Sequence, residues 1–381
     1  MHKVMISVGE ASGDLHGASV ASALRAREPD IRIFGMGGNM MQAAGVELVY
    51  DIADLGVMGL VEVLKSLPKL LRLRTFLADV MRREKPDVLV IIDYPGFNVR
   101  LAKIAKELGI PVVSYISPSA WAWGKGRARE VAETVARVAA IFPFEADIYR
   151  QAGANVTFVG HPLLDIVKPT LTREAAYLHF GADPARPVVL LMPGSRRQEI
   201  DKLLPEMLAA AEKISERVPA CQFFLPVAST ISREILQNII SRYRVPVTLT
   251  TDNTYDLMTI GDVAVAASGT ATLEASLLGL PTVIIYKVVA ATYYLGKLLV
   301  KIPHIGLPNI IAGGQIVPEL IQDEVNAANI ADEAVRLLTE PARREQVAAD
   351  LAAVRSKLGE SGAVGRVAGV IIEVADHGGT K

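Results

Sequence analysis

Several stretches of this chain place hydroxyl, guanidinium or carboxylate groups directly after apolar runs, where parallel α/β sheets present their chemistry. In Met192-Pro193-Gly194-Ser195-Arg196-Arg197, the turn joins the apolar run Val188–Leu191 to an amphipathic helix pattern. Ile200, Leu203, Leu204, Met207 and Leu208 share one face of that helix. The free N–H groups and positive dipole end at Gly194 and Ser195 favour an anion, and Arg196 adds a fork suited to phosphate. The same residues also make an ordinary capped turn with a solvated Arg pair. A second such turn, Ser268-Gly269-Thr270-Ala271-Thr272-Leu273-Glu274, follows Val263–Ala267. It offers N–H groups and hydroxyls to a phosphate, and Glu274, one helical turn on, can accept from a ribose diol. Two such turns together suit a diphosphate joined to a ribose. Asn309 in Leu307-Pro308-Asn309 is a third candidate, for a base or sugar.

A carboxylate, Asp93, ends the run Val88–Ile92. Apolar surroundings there raise a carboxyl pKa in the direction useful to a general base, although an Asp also caps Pro-Gly turns. After the first apolar run, Gly9-Glu10-Ala11-Ser12-Gly13-Asp14-Leu15-His16-Gly17 supplies Glu10, Ser12, Asp14 and His16. The bland reading there is a turn with Asp14 as helix cap. The Gly-x3-Gly spacing is not a dinucleotide fingerprint. Ser117–Arg127 holds both tryptophans, Trp121 and Trp123, which suit sugar stacking or domain packing equally. There is no HExxH, paired-Cys or Asp-x-Asp pattern, so a metal site has no support. Neither a nucleophile elbow nor a Walker A loop is present.

These residues need a scaffold. At 381 residues, 51% hydrophobic and 21% charged, the chain is globular and long for one core. The net charge of −1 gives no reason to expect nucleic acid. One cysteine, Cys221, excludes an intrachain disulfide and suits a reducing cytoplasm. No signal-peptide pattern and no apolar run of transmembrane length appear. Strands are expected at Lys3–Val8, Ile31–Phe34, Val88–Ile92, Val112–Tyr115, Val138–Phe142 and Val156–Val159, with a glycine turn at Gly35–Gly38. After a linker at Gly160–Pro169 they recur at Val188–Leu191, Phe223–Leu225, Val247–Leu249, Val263–Ala267 and Thr282–Tyr286. Strands separated by helices imply parallel sheets, hence two doubly wound α/β domains, 1–165 and 166–360, facing across a cleft. A last helix in 361–381 closes the second domain or crosses back to the first.

Val57–Lys85 differs from the rest. Val61, Val63, Leu64, Leu67, Leu70 and Leu71 spread over more than one helical face, interleaved with cations such as Lys65, Lys69 and Arg72, and Pro68 is expected to restart the helix. The pattern suits an anionic membrane surface or an acyl chain, or else a core helix with a solvated basic side. Tyr293–Lys301 is a weaker stretch of this kind.

Taken together, the motifs resemble the lipid-A-disaccharide synthases, inverting glycosyltransferases of the GT-B fold (family 19). The resemblance rests on Gly9–Asp14, Val57-Met58-Gly59, Val61–Leu64, Ile92–Asn98, Ser117–Trp123, Phe142-Pro143-Phe144-Glu145, Val159–Pro162, Pro193–Arg196, Ala267–Glu274 and Leu307–Asn309, in order over nearly the whole chain. It implies transfer from UDP-2,3-diacylglucosamine to 2,3-diacylglucosamine 1-phosphate (lipid X), giving a β-1,6 disaccharide and UDP, with no metal or other cofactor. It also implies a peripheral enzyme on the cytoplasmic face of the inner membrane, and a homodimer able to exchange C-terminal segments. Under it, Asp93 is the base, with Glu10, Asp14 or His16 as alternatives, and Gly194, Ser195, Arg196, Ser268, Gly269, Thr270, Thr272, Glu274 and Asn309 bind UDP. Ser12, Trp121 and the apolar residues of Val57–Lys85 meet acceptor, acyl chains or membrane. One departure is Gly314, where the family pattern leads us to expect Arg. A UDP-sugar 2-epimerase and a non-catalytic nucleotide-sugar-binding module remain as rivals.

Overall fold

The structure is a computed structural model that describes residues 1–55, 60–117, 125–228, 230–288 and 303–378; side chains at 54–55, 60–67, 125 and 378 lie outside that description. The chain divides into two compact units, Met1–Pro162 with Leu358–Lys381, and Leu163–Lys357.

The first unit is built on seven parallel strands: β1 (Lys3–Ser7), β2 (Arg32–Gly37), β3 (Glu47–Asp51), β4 (Val88–Ile92), β5 (Val112–Tyr115), β6 (Arg137–Ala140) and β7 (Val156–Phe158), in the order β3-β2-β1-β4-β5-β6-β7. Helices cover both faces, as a sheet buried on two sides requires. Four of them matter below: α1 (Ala11–Arg27), α2 (Asn39–Ala43), α3 (Leu60–Glu84) and α4 (Pro95–Glu107). Leu73, Leu77 and Met81 of α3 pack with Phe97 and Leu101 of α4 over Met5, Leu89 and Ile91.

Three expectations change here. β2 runs on to Gly37, through the stretch expected to be a turn. Gly35 permits this, because its φ is +152° and a Cβ would lie 1.9 Å from the Ile6 carbonyl of the neighbouring strand. Pro68 does not restart a helix; α3 is continuous from Leu60 to Glu84 with Pro68 inside it. Edge strand β3 is an addition to the expected strands; its short apolar run Leu48-Val49-Tyr50 is only half-buried and lies between Glu47 and Asp51.

The second unit holds a six-stranded parallel sheet: β8 (Val188–Met192), β9 (Gln222–Pro226), β10 (Val247–Thr250), β11 (Val263–Ala267), β12 (Thr282–Tyr286) and β13 (Glu319–Ile321), ordered β10-β9-β8-β11-β12-β13. Its helices include α5 (Arg197–Arg217), α6 (Thr254–Ile260), α7 (Thr270–Leu277) and α8 (Leu307–Ala312). The expected α5 face is buried: Ile200, Leu203, Leu204, Met207 and Leu208 join Val189, Leu191 and Val265 in one core. Each such side chain contributes about 1.5–3 kcal/mol. On the opposite face Leu257, Met258 and Ala275 pack on Leu190 and Ala266. The last helix, α9 (Ala363–Gly378), packs on α1 of the first unit, where Arg27 donates to the Gly365 carbonyl at 3.0 Å and His2 meets Asp376 at 3.1 Å.

Each sheet reverses its order once, between β1 and β4 and between β8 and β11. Ligands of open parallel sheets bind outside the strand ends at such switch points. The turns singled out in the sequence are the ones that follow these four strands.

Candidate functional site

In the second unit, the turns after β8 and β11 line one cavity of about 350 Å³. Gly194, Ser195, Arg196, Ser268, Gly269, Thr270 and Glu274 come together there, with Thr254 and Met258 of α6 and Glu199 of α5. The two turns are electrostatically unequal. Glu199 folds back over the start of α5, and its Oε2 accepts the N–H of Ser195 at 3.0 Å and of Arg196 at 3.1 Å. Its Oε1 accepts from Arg196 Nη1 at 3.2 Å. Thr230 Oγ1 donates to the Ser195 carbonyl at 2.6 Å from the other side. The expected anion site at the Ser195 N–H is therefore filled by the chain's own carboxylate, as Glu199 reaches back to the helix start. Arg196 keeps a role open, since its side chain is 80% exposed and lines the cavity.

The start of α7 is different. Gly269 caps it with no side-chain hydrogen bond, and among the described residues no acceptor meets the N–H groups of Gly269, Thr270 and Ala271. These donors and the helix dipole leave this end of the cavity with open hydrogen-bonding capacity suited to an anion. The Ser268 hydroxyl is turned away, donating to the Ile305 carbonyl at 3.1 Å. Thr272 is a correction: it is fully buried, and its hydroxyl donates to the Gly269 carbonyl at 2.7 Å, so it shapes the turn and offers a ligand nothing. Glu274 lines the cavity, and its carboxyl is raised by burial, with the Tyr255 hydroxyl donating to Oε1 at 3.1 Å in opposition.

Asn309 is a second correction. It is wholly buried on α8; its Oδ1 accepts from Ile316 and Val317 N–H at 2.8 and 3.0 Å, and its Nδ2 donates to the Val317 carbonyl and Glu319. All its hydrogen-bonding capacity is spent holding the chain before β13. Gly314, one residue beyond the glycine that ends α8, has open space around its Cβ position.

In the first unit, Asp93 stands at the end of β4, beside the β1 turn across the switch point. Asp93 and Tyr94 have φ of +50° and +51°, a conformation unusual without glycine and costing of order 1–3 kcal/mol each. Asn98, buried on α4, holds the bend: its Nδ2 donates to the carbonyls of Ser7, Ile92 and Asp93, and its Oδ1 accepts from Ser7 Oγ at 2.7 Å. The Tyr94 ring lies over Gly9, where a Cβ would meet it at 2.2 Å. The half-buried Asp93 carboxyl is pushed up by desolvation, against one backbone hydrogen bond from Tyr94.

The alternatives to Asp93 separate. Asp14 is buried and accepts N–H groups of Gly38, Met40 and Met41 at 2.8–3.1 Å, so it caps α2 and neither caps α1 nor serves as a base. Glu10 and Ser12 are exposed at the start of α1. His16 meets the Tyr115 ring edge-on, and burial lowers its pKa, keeping the imidazole neutral. Trp121 and the stretch 293–301 lie outside the described residues, as do the side chains of Val61, Val63, Leu64 and Leu67. Leu70 packs against the core, whereas Leu71 is 43% exposed.

Glu199, Asn98 and Tyr255 were not picked out from the sequence. Only Glu199 carries a local signal, an acidic residue at the third position of its helix. Glu145 also stands out: it is 2% exposed, its Oε2 has no hydrogen-bond partner among the described residues, and burial raises its pKa to about 8.

Comparison with known proteins places these features. The two-unit architecture is shared with UDP-GlcNAc 2-epimerase from Neisseria meningitidis bound to UDP-GlcNAc (TM-score 0.64, 15% identity, 98% of this chain and 100% of that one). It is shared equally with MurG of Acinetobacter baumannii (0.62, 15%, 98% and 99%), so the fold is the GT-B arrangement of glycosyltransferases and epimerases. Sequence is more specific. Lipid-A-disaccharide synthase of Geobacter sulfurreducens is 46% identical over 98% of this chain and 97% of its own, and that of Syntrophus aciditrophicus 47% over 96% of each. With the lipid-A-disaccharide synthetase family model also matching residues 4–364, the chain belongs to the lipid-A-disaccharide synthase family of glycosyltransferases.

Proposed function

We propose that this glycosyltransferase joins UDP-2,3-diacylglucosamine to 2,3-diacylglucosamine 1-phosphate with inversion at the anomeric carbon. The acceptor's 6-hydroxyl oxygen attacks the donor's anomeric carbon, its proton passes to the Asp93 carboxylate, and the bond to the diphosphate breaks to release UDP. A positioned base contributes typically about 10²–10⁴-fold. Negative charge grows on the departing diphosphate, which the N–H groups of Gly269 and Thr270 and the Arg196 guanidinium stabilise. The observation that carries this reading is the cavity after β8 and β11, with its uncapped helix end and the Glu274 carboxyl one helical turn further along α7. In this scheme the second unit takes the UDP-sugar and the first takes the acceptor, with Glu10 and Ser12 at the edge of the Asp93 bend.

Among the described residues no helix is long and apolar enough to cross a membrane. The lipid substrates are reached instead from the cytoplasmic surface of the inner membrane. Support comes from α3, which exposes Leu71 and Phe76 by 43% and 44% and also carries the cations Lys69 and Arg72. A homodimer fits the same picture, since the contact of α9 on α1 is one that two copies can exchange.

The direct test mixes the UDP-diacylglucosamine donor with lipid X and follows disaccharide and UDP. The reading predicts both products in equal amounts, with no turnover when lipid X is omitted. Epimer formation from the UDP-sugar alone would overturn it.

A further inference from the structure

The Tyr255 hydroxyl donates to Glu274 Oε1 at 3.1 Å, and it is the only partner of that carboxylate among the described residues. Oε2 is left for a ligand. Both residues are fixed from behind. The Tyr255 ring packs against the core that includes Leu257, Met258, Ala266 and Ala275, on an α6 whose neighbouring Thr254 and Met258 line the same cavity. Glu274 stands one turn inside α7, past the uncapped N–H groups. A carboxylate in this half-buried position can fail to meet a diol in two ways, by rotating about its terminal bond or by becoming protonated. Burial favours protonation, and the phenol donor opposes it. Burial also holds the phenol in its protonated, donating form.

We propose that Tyr255 is the positioning residue that presents Glu274 to the ribose diol of the bound nucleotide, so that preference for ribose over a sugar lacking its hydroxyls runs through the Tyr255 hydroxyl. This rests on reading the cavity as the UDP site. Tyr255 touches no reacting atom; it acts by holding one carboxylate oxygen so that the other faces the sugar. A protonated or rotated carboxyl loses an acceptor for one of the two hydroxyls, whereas the phosphate contacts at α7 are untouched.

The test is calorimetric binding of UDP and of 2′,3′-dideoxy-UDP to the wild-type chain, Tyr255→Phe, Glu274→Gln and the double variant. Tyr255→Phe removes one oxygen and keeps the ring in the core. We expect UDP to bind Tyr255→Phe about tenfold more weakly, or about 1.4 kcal/mol, with the dideoxy nucleotide changed less than twofold. In the Glu274→Gln background Tyr255→Phe should add nothing, as coupled residues require. Equal losses for both nucleotides, or no loss for UDP, would overturn the role of Tyr255 while leaving the UDP site standing. Wild-type protein that binds UDP and its dideoxy analogue equally would overturn the ribose contact at Glu274 itself, and the inference with it. If Tyr255→Phe does not fold, Tyr255→Leu, which likewise keeps an apolar side chain in the core and lacks the hydroxyl, supplies the same comparison: selective loss of ribose preference supports the coupling and uniform loss refutes it.

Discussion

The carboxylate of Glu199 lies where a Cβ on Gly194 would be, 2.2 Å from that position, so the glycine and the acid form a single turn that closes on itself. With φ of +106° at Gly194, alanine there meets both backbone strain and the Glu199 oxygen. Gly194→Ala should lower stability by about 1–3 kcal/mol in urea unfolding. Glu199→Ala, which removes the cap and the ion pair to Arg196, should cost about 1 kcal/mol and leave UDP affinity nearly unchanged, because the α7 N–H groups stay in place and the Arg196 guanidinium is already exposed to the cavity. A tenfold shift in UDP affinity would return them to the α5 turn.

Asn309 yields a prediction of the opposite kind to the one its motif suggested. Asn309→Ala strands the Ile316 and Val317 N–H groups in a buried position, at roughly 1–3 kcal/mol each. The loss should appear in the unfolding midpoint of ligand-free protein. A variant of normal stability that has lost UDP binding would restore Asn309 as a contact residue.

Glu145 gives the first unit a pH dependence. Its folded pKa is raised to about 8, so the unfolded chain releases this proton first. The stability it supplies is complete below its ordinary range near 4.5, and falls as pH rises to about 8. Glu145→Gln, neutral and of the same shape, should match wild type at pH 5 and exceed it at pH 8.5 in thermal unfolding. Parallel curves across that window would refute the buried acid.

The exposed face of α3 is a binding surface on this account. Leu71→Ser with Phe76→Ser should weaken association with vesicles containing anionic lipid, in cosedimentation, without shifting the thermal midpoint, because neither residue is in the core. A loss of several degrees would make them packing residues.

How far the sequence could be read depends on the range of the interaction. Apolar runs ending at Gly9, Asp93, Pro193 and Ser268 mark β1, β4, β8 and β11, and the site turns follow directly from them. Edge strands β3 and β13 escaped because their apolar runs, Leu48-Val49-Tyr50 and Leu320-Ile321, are short, half-exposed and flanked by polar or acidic residues. Asp14, Asn309 and Thr272 are polar residues in the right turns whose side chains point inward. For Asp14 the partner, Gly38, is set by tertiary packing, which spacing along the chain does not report, whereas Thr272 turns back onto its own helix start. The α3 helix passes through Pro68 despite a penalty of about 3 kcal/mol; burial of Leu73, Leu77 and Met81 outweighs it. Glu199 shows the reverse case, a local capping rule that was legible and yields a closed turn where an open one was expected.

The central claim is that Asp93 removes the acceptor proton, and its raised carboxyl makes that claim measurable. Because the base must be ionised and burial raises its pKa, kcat for disaccharide formation should climb with pH along an acid limb displaced above the ordinary Asp value near 3.9. Asp93→Asn should lower kcat about 10²–10⁴-fold, abolish that limb and leave UDP affinity unchanged. The same variant should be slightly more stable at neutral pH, since the fold no longer holds a half-buried charge. The decisive measurement is the pH profile of kcat for wild type and Asp93→Asn with saturating donor and lipid X. A lost limb and a collapsed kcat are predicted; an Asp93→Asn enzyme with near-normal kcat and an unaltered limb would contradict the account.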